Sequence, residues 1–230
     1  MNLELVVFDV AGTTVAASDD VARVFREAFE ARQLDLTSEA VAAVRGKSKR
    51  DAIRELVSLP TRNAHQRVDP DEIYRDFRDR LIKASASWRP VSGAQETFAW
   101  FRARDIQVAL TTGFDRVVLE ALLESLGWAY GVVDSALCAE DVAHGRPAPD
   151  LILRSMELCG VSDPLEVLSV GDTRADLEAA ENAGVGWSIG VLSGAHSADE
   201  LSLSPHSAIL NSVADLPAWY RRRVISYQRS

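Results

Sequence analysis

Short runs of apolar and β-branched residues recur along the chain, and each of them ends in turn-forming or polar residues. Such runs are typical of strands in a parallel sheet, because these strands are covered on both faces and are apolar throughout. The predicted strands are Leu3–Phe8, Ile106–Leu110, Val132–Leu137, Val167–Val170, Trp187–Leu192 and, with a weaker pattern, Ser207–Leu210.

The stretches between these strands have the apolar spacing of amphipathic helices. Strands that alternate with helices of this length predict βαβ units, and therefore an α/β fold with a doubly wound parallel sheet. In such a sheet, ligands bind beyond the carboxyl ends of the strands. The predicted helices of this part are Gly93–Ala103, Arg116–Leu126, Ala148–Cys159 and Thr173–Ala183.

The interval that follows the first strand interrupts this alternation, because it contains helical patterns and no convincing strand. We therefore predict a catalytic core made of residues 1–15 and 88–230, and a helical cap of residues 16–87 over the active end of the sheet. The helices predicted for the cap are Ser18–Arg32, Ser38–Val44, Lys49–Leu59 and one from Pro70 to about Ser85.

Charge and composition narrow the function classes. The chain has 230 residues, of which 34 are acidic and 25 basic, and its formal charge is −9. An acidic balance disfavours nucleic-acid binding, which normally requires a basic surface. The sequence shows no apolar run long enough for a membrane span, so we expect a cytoplasmic protein with no membrane contact. The sequence does not determine the oligomeric state, and a homodimer is one possibility.

Polar residues that could take part in catalysis or ligand binding follow four of the predicted strands. Asp9 follows the first strand and leads into a turn at Gly12 and Thr13, whose amides and hydroxyls can face an oxyanion. Because the carboxyl ends of parallel strands share one edge, these residues should come together. The other three strand ends supply Thr111, Thr112 and Gly113, then Arg146, then Asp172 and Asp176.

A carboxylate nucleophile, a hydroxyl, a fixed cation and an acidic pair are the parts of a phosphoryl-transfer site. The cation and the hydroxyl hold the oxygens of the transferring group. Carboxylates, together with waters and a backbone carbonyl, form the oxygen cage that Mg²⁺ requires. The sequence therefore predicts a Mg²⁺-dependent enzyme.

With these four motifs, the chain resembles the haloacid dehalogenase superfamily of aspartyl-phosphate hydrolases. The resemblance implies that Asp9 attacks phosphorus and forms an aspartyl-phosphate, while Thr111 binds phosphate and Arg146 neutralises charge. It also implies that Mg²⁺ is held by Asp9 and Asp172, with Asp176 bound directly or through water. Ala11 is assigned to the metal cage and, with five other residues, to substrate or phosphate binding: Gly12, Thr13, Gly46, Thr112 and Gly113.

One departure from the superfamily pattern is informative. Most phosphatases of the superfamily have a second Asp two residues after the nucleophile, where this chain has Ala11, and a methyl group cannot protonate a leaving alkoxide. The loop Ala11-Gly12-Thr13-Thr14 with an arginine in the third motif resembles phosphonatases (phosphonoacetaldehyde hydrolases). In that family a cap lysine forms a Schiff base with the substrate aldehyde, and Lys49 falls at that position. The crowded cations around it should lower its pKa.

Two alternatives remain at this stage. The chain has Arg45 and Ala52 where phosphonatases have Met and His, so Lys49 could instead grip a distal anion of a small phosphorylated metabolite or lie on the surface. The protein would then be a phosphatase that protonates its leaving group through water or His144. The second alternative is a relative that binds phospho-ligands without catalysis.

Overall fold

A computed structural model describes residues 3–59 and 68–227 of the chain. Its strands are β1 (Leu5–Asp9), β2 (Gln107–Thr111), β3 (Ser135–Leu137), β4 (Val167–Gly171), β5 (Trp187–Val191) and β6 (Ala208–Leu210). They form one sheet in the order β3-β2-β1-β4-β5-β6, and every adjacent pair is parallel. The predicted α/β fold with a doubly wound parallel sheet is confirmed.

Helices follow the strands in the alternating order that the sequence predicts. Each predicted helix overlaps an observed one, and the structure adds two helices near the carboxyl end for which the sequence pattern gave no bounds. The helices are α1 (Ser18–Glu30), α2 (Ser38–Ala43), α3 (Lys49–Ser58), α4 (Pro70–Ser85), α5 (Ala94–Arg102), α6 (Arg116–Leu126), α7 (Asp150–Cys159), α8 (Arg174–Ala183), α9 (Ala198–Leu201) and α10 (Leu216–Tyr227). None of the described helices combines the length and the apolar character needed to cross a lipid bilayer.

Both faces of the central strand β1 are covered by apolar clusters. Val6 and Phe8 belong to one apolar cluster, whereas Leu5 and Val7 belong to a second cluster on the opposite face. This division follows from the alternation of side chains along a strand. The Phe8 ring packs edge-on against Phe98 of α5, with 5.1 Å between the ring centroids.

Helices α1 to α4 lie between β1 and α5 in the chain and pack on one another and on the sheet unit. The rings of Phe25 in α1 and Phe77 in α4 stack with centroids 4.4 Å apart. The Tyr74 hydroxyl of α4 donates a hydrogen bond of 2.6 Å to Asp115, which caps the start of α6. The division of the chain into a cap of 16–87 and a core stays a prediction, and residues 60–67 lie outside the described residues.

Strand register brings the carboxyl ends of the central strands to one edge. Asp9 at the end of β1 pairs with Thr111 at the end of β2, and Phe8 pairs with Val170 of β4. The residue that follows β4 at this edge is Asp172. The fold therefore places three of the four polar motifs side by side before any side-chain contact is considered.

Candidate active site

Arg146 is the buried cation that joins the motifs. Its Nη1 atom donates a hydrogen bond of 2.5 Å to Oδ1 of Asp9 and lies 2.9 Å from Oδ1 of Asp176. Its Nη2 atom donates to the Thr111 hydroxyl at 2.5 Å and to the Thr111 carbonyl at 3.0 Å. The guanidinium therefore fixes the candidate nucleophile, the hydroxyl and one acidic residue in a single arrangement, as a fork of five donors can.

Three buried carboxylates meet at the same place. Asp9, Asp172 and Asp176 each offer an oxygen, and these oxygens all lie within 4.8 Å of one another. The Thr13 hydroxyl donates to Oδ1 of Asp172 at 3.3 Å. Oδ2 of Asp176 accepts from the amide and the hydroxyl of Thr173 at the start of α8. Oδ1 of Asp176 is buried and forms an ion pair with the guanidinium, but it accepts no hydrogen bond from the residues that the structure describes.

Burial and mutual repulsion destabilise the fully ionised form of the three carboxylates Asp9, Asp172 and Asp176. The pKa of Asp9 is raised to about 6, mainly by burial and also by Asp176, while Arg146 opposes the shift. The pKa of Asp172 is also raised well above its usual range, first by burial and then by Asp9 and Asp176. Because the three carboxylates outnumber the nearby cations, the cluster favours an additional positive charge.

A loop after β5 completes the site, and the sequence analysis missed it. The Ala195 amide donates a hydrogen bond of 2.6 Å to Oδ2 of Asp172, and the His196 amide donates to the Asp172 carbonyl at 3.3 Å. A Cβ atom on Gly194 would lie 2.0 Å from Oδ2 of the same aspartate, so this position has no room for a side chain. The available signal was another strand end with polar and glycine residues at the same edge of the sheet.

Lys49 begins α3 and lies between the inserted helices and the sheet edge. Its amide donates to the Gly113 carbonyl at 3.0 Å, which ties the start of α3 to the loop after β2. Its Nζ atom donates to the Lys47 carbonyl at 3.3 Å and lies 5.4 Å from the centre of the Phe114 ring. These contacts hold the amine near the carboxylates without a direct ion pair to any of them among the described residues.

The pKa of Lys49 is lowered to about 8, mainly by burial. This net value includes the three carboxylates, of which Asp9 raises the pKa most, and Arg146, which lowers it. The direction agrees with the sequence-based expectation. The main cause differs, because burial dominates and the neighbouring cations Arg45, Lys47 and Arg50 are not among the largest causes. An amine with a pKa near 8 is partly neutral at physiological pH, as a nucleophile must be.

Two glycines let the inserted helices approach the sheet unit closely. Gly46 has a φ of +79°, and a Cβ there would lie 2.4 Å from the Thr173 hydroxyl oxygen. A Cβ on Gly113 would lie 2.5 Å from the Lys47 carbonyl oxygen. Gly46 requires glycine because of its positive φ and the nearby side chains of Thr173 and Ala175, and Gly113 because the backbone of Lys47 packs against it. These are structural reasons for residues that the sequence assigns to substrate binding.

A small cavity of about 50 Å³ opens beside the carboxylates. On the side of the sheet, Ala11, Asp172 and Ala195 line it. On the side of the inserted helices, its walls carry Arg45 and Lys49 together with apolar residues of α1 and α2. A ligand that reaches the carboxylates through this cavity would therefore touch the lysine.

Other candidate residues lie apart from this cavity. The Thr112 hydroxyl accepts from the Phe114 amide at 3.2 Å, so it stabilises its own turn. Gly12, with a φ of +95°, forms the turn after β1. Ala52 is fully buried in the apolar core of the inserted helices. The His144 side chain is 76% exposed, and its Nδ1 atom lies 3.1 Å from Oδ2 of Asp150.

Residues 3–184 match the family model of haloacid dehalogenase-like hydrolases. The chain belongs to this family and is a hydrolase, as the four motifs predict. Among curated proteins it is similar to phosphonoacetaldehyde hydrolase of Bacillus cereus, with 30% identity over 217 residues, which cover 90% of this chain and 81% of that protein.

Solved structures agree on the fold. A phosphonoacetaldehyde hydrolase-like protein from Oleispira antarctica has a TM-score of 0.80 at 24% identity, with 94% of this chain and 90% of that chain covered. A hydrolase from Pseudomonas syringae has a TM-score of 0.81 at 19% identity, with coverages of 93% and 95%. At these identities the two structures support the fold and leave the substrate open.

Proposed function

We propose that this hydrolase cleaves the phosphorus–carbon bond of a small carbonyl phosphonate, of the kind represented by phosphonoacetaldehyde. The observation that carries the proposal is Lys49, an amine with a lowered pKa that lines the same small cavity as Asp172 and Ala11. An ordinary phosphatase needs a general acid for its leaving group, and Ala11 offers none. Cleavage of a carbonyl phosphonate needs instead an amine that forms an imine with the carbonyl group.

The first step is imine formation. The neutral Nζ of Lys49 attacks the carbonyl carbon, and the resulting carbinolamine loses water to give a protonated imine. The lowered pKa supplies the neutral amine, and the apolar ring of Phe114 lies beside it. The positive imine nitrogen can then accept the electron pair of the bond that breaks.

The second step is phosphoryl transfer to Asp9. Its carboxylate attacks phosphorus, the phosphorus–carbon bond breaks, and the electron pair moves toward the imine nitrogen to give an enamine. Arg146 holds Asp9 through Nη1 and Thr111 through Nη2, so the nucleophile and a phosphate-binding hydroxyl stay aligned. Water then hydrolyses the aspartyl-phosphate to phosphate. Protonation of the enamine carbon and hydrolysis of the imine release the aldehyde and restore Lys49.

The donor set suits Mg²⁺, which prefers hard oxygen ligands. Asp9, Asp172 and Asp176 would hold it, with the Ala11 carbonyl. The buried Oδ1 of Asp176 accepts no hydrogen bond from the described residues and has only its ion pair with Arg146. When bound, the ion supplies charge neutralisation for the phosphoryl oxygens and for the crowded carboxylates.

Mg²⁺ is expected to stabilise the folded protein more strongly at about pH 7.5 than at about pH 5. The folded pKa of Asp9, about 6, lies above its ordinary value of 3.8. The metal-free fold therefore favours the protonated carboxyl and loses this stability as the pH rises through that interval. Protons and the metal compete for the same oxygens, so the stabilisation, about 2.7 kcal/mol at a metal concentration 100 times Kd, should shrink in acid.

Thermal unfolding with and without Mg²⁺ at several pH values measures this dependence. Asp134→Asn is the matched control, because Asp134 precedes β3 at the opposite edge of the sheet, where its side chain accepts from the Val108 amide. This variant should keep the pH-dependent Mg²⁺ effect. A Mg²⁺ effect that is equal at all pH values would contradict a site built on Asp9 and Asp172.

Phosphate release tests the proposed function. The enzyme is incubated with phosphonoacetaldehyde, and separately with an aryl phosphate ester, with Mg²⁺ and without metal. We expect Mg²⁺-dependent release from the phosphonate and little from the ester. Release from the ester alone would contradict the proposal and favour a phosphatase in which Lys49 grips an anion. The absence of phosphate release from both substrates would also contradict cleavage of this phosphonate.

A further inference from the structure

Arg45 places a second cation in the cavity beside Lys49, one residue before Gly46. Its guanidinium is half-buried, and Nη1 donates a hydrogen bond of 2.6 Å to the Ala195 carbonyl. This bond fixes the side chain across the gap between the inserted helices and the loop after β5. An arginine that is already oriented loses less entropy when it binds a ligand.

The guanidinium retains donors for a ligand. Arginine has five N–H donors, and only one bond from Arg45 is found in the described part of the chain. No carboxylate oxygen of the described residues forms a salt bridge with it. Glu200, which interacts with it electrostatically, is held by the amide and hydroxyl of Ser197. The cation is therefore available to an anion that enters the cavity.

The surroundings of Arg45 favour an anion at a defined end of the ligand. Val21, Phe25 and Val41 form an apolar wall next to it, and Asp172 and Lys49 are the other charged residues that line the cavity. Charge-assisted hydrogen bonds are strong where apolar walls exclude water. Arg45 and Lys49 both line the cavity from the side of the inserted helices. A small substrate with its phosphoryl group at Asp9 would therefore extend its carbon end toward these two cations.

We propose that Arg45 is a specificity-determining residue that binds a carboxylate on the carbon end of the substrate. The substrate class is then a carbonyl phosphonate that also carries a carboxylate, a class with one more anion than phosphonoacetaldehyde. The phosphonate part of this inference rests on the proposed function, whereas the carboxylate part rests on Arg45.

Binding of two inert phosphonates separates these parts, because it does not require turnover. Phosphonoacetate carries a carboxylate, and 2-methylpropylphosphonate has an apolar group of similar shape at the same position. Calorimetry with Mg²⁺ present gives the ratio of the two Kd values for the wild type, Arg45→Met and Lys49→Met. We expect the wild type to prefer phosphonoacetate about 10-fold or more, the scale of a charge-assisted pair.

Arg45→Met should reduce this preference to about unity while changing the Kd of the apolar phosphonate less than about threefold. Lys49→Met should keep the preference, and Arg45→Lys should keep part of it. Arg45→Gln serves as a second neutral variant, with thermal unfolding to confirm that each protein is folded.

Three results would overturn the assignment: no preference in the wild type, an equal loss of both ligands in Arg45→Met, or loss of the preference in Lys49→Met alone. The second result would mean that Arg45 only ties the helices to Ala195. None of them depends on whether phosphonoacetaldehyde is cleaved, so a failure of the proposed function is seen separately in phosphate release.

Discussion

Asp9→Asn is expected to lower phosphate release on the order of 10⁴-fold or more, the scale of losing a covalent nucleophile. The amide keeps the shape of the side chain and can still accept a hydrogen bond from Arg146. It cannot attack phosphorus to form an acyl phosphate, so transfer has no acceptor. The substitution therefore isolates the chemical step from the packing of the site.

The same variant should not be less stable than the wild type in the absence of metal. Burial and Asp176 raise the pKa of Asp9 to about 6, so the folded protein pays for the ionised carboxylate at neutral pH. A neutral amide removes this penalty, and Arg146 keeps its ion pair with Asp176. Steady-state phosphate release and thermal unfolding, measured on the same preparation, check both expectations.

Asp134→Asn is the matched control, since it makes the same chemical change at the amino edge of the sheet. It should retain phosphate release near the wild-type rate. Mass spectrometry of the Asp9→Asn protein before each assay guards against deamidation back to aspartate. Substantial activity in an intact Asp9→Asn protein would contradict the covalent mechanism.

Lys49→Arg is expected to abolish phosphonoacetaldehyde turnover, with a loss of about 10³-fold or more, comparable to removal of a catalytic group. Arginine keeps the positive charge at the start of α3, but its guanidinium stays protonated and forms no imine. Without an imine, the electron pair of the phosphorus–carbon bond has no acceptor. Initial rates with saturating substrate measure the loss.

Lys47→Arg is the control, because Lys47 is two residues away and its ammonium pairs with Glu55 at 2.7 Å. It should keep wild-type turnover. Lys49→Met removes both the charge and the amine and should be as inactive as Lys49→Arg. If Lys49→Arg stayed active while Lys49→Met did not, the residue would act as an anion-binding cation, which was the alternative left open by the sequence.

Much of the fold follows from local pattern, because buried parallel strands are apolar throughout. All five residues of β1 are buried, and its predicted position is shifted by only two residues at the start and one at the end. The third strand is shorter than predicted. Its expected first residues lie in a loop, where Asp134 bonds to Val108 through both its backbone and its side chain. Here a side-chain carboxylate accepts the hydrogen bond that a backbone carbonyl would accept in a strand pair. The pattern of apolar residues does not predict such a replacement.

The bounds of helix α10 were not predicted, for a different reason. Its sequence places a buried Trp219 and a half-buried Tyr220 before the three arginines Arg221–Arg223, so no clear apolar stripe repeats along it. The three arginines are exposed, so this face of the helix is solvated. Tertiary packing, and not local periodicity, decides this element.

Some features of the candidate site could also be predicted from the sequence, and others could not. The convergence of Asp9, Thr111, Arg146 and the acidic pair could be predicted, because parallel strands bring their carboxyl ends to one edge. The hydrogen bond from the Ala195 amide to Asp172 could not, since a backbone donor leaves no mark in the side-chain sequence. The cause of the lowered Lys49 pKa also required the structure, because burial depends on how the helices pack over the sheet.

Trapping of the imine tests the central claim most directly. The wild-type enzyme is mixed with phosphonoacetaldehyde and borohydride, and the protein mass and the modified residue are then determined by mass spectrometry. We predict loss of activity together with one reduced adduct on Lys49, and no adduct in Lys49→Arg. An unmodified Lys49 in an enzyme that still releases phosphate from this substrate would contradict the account.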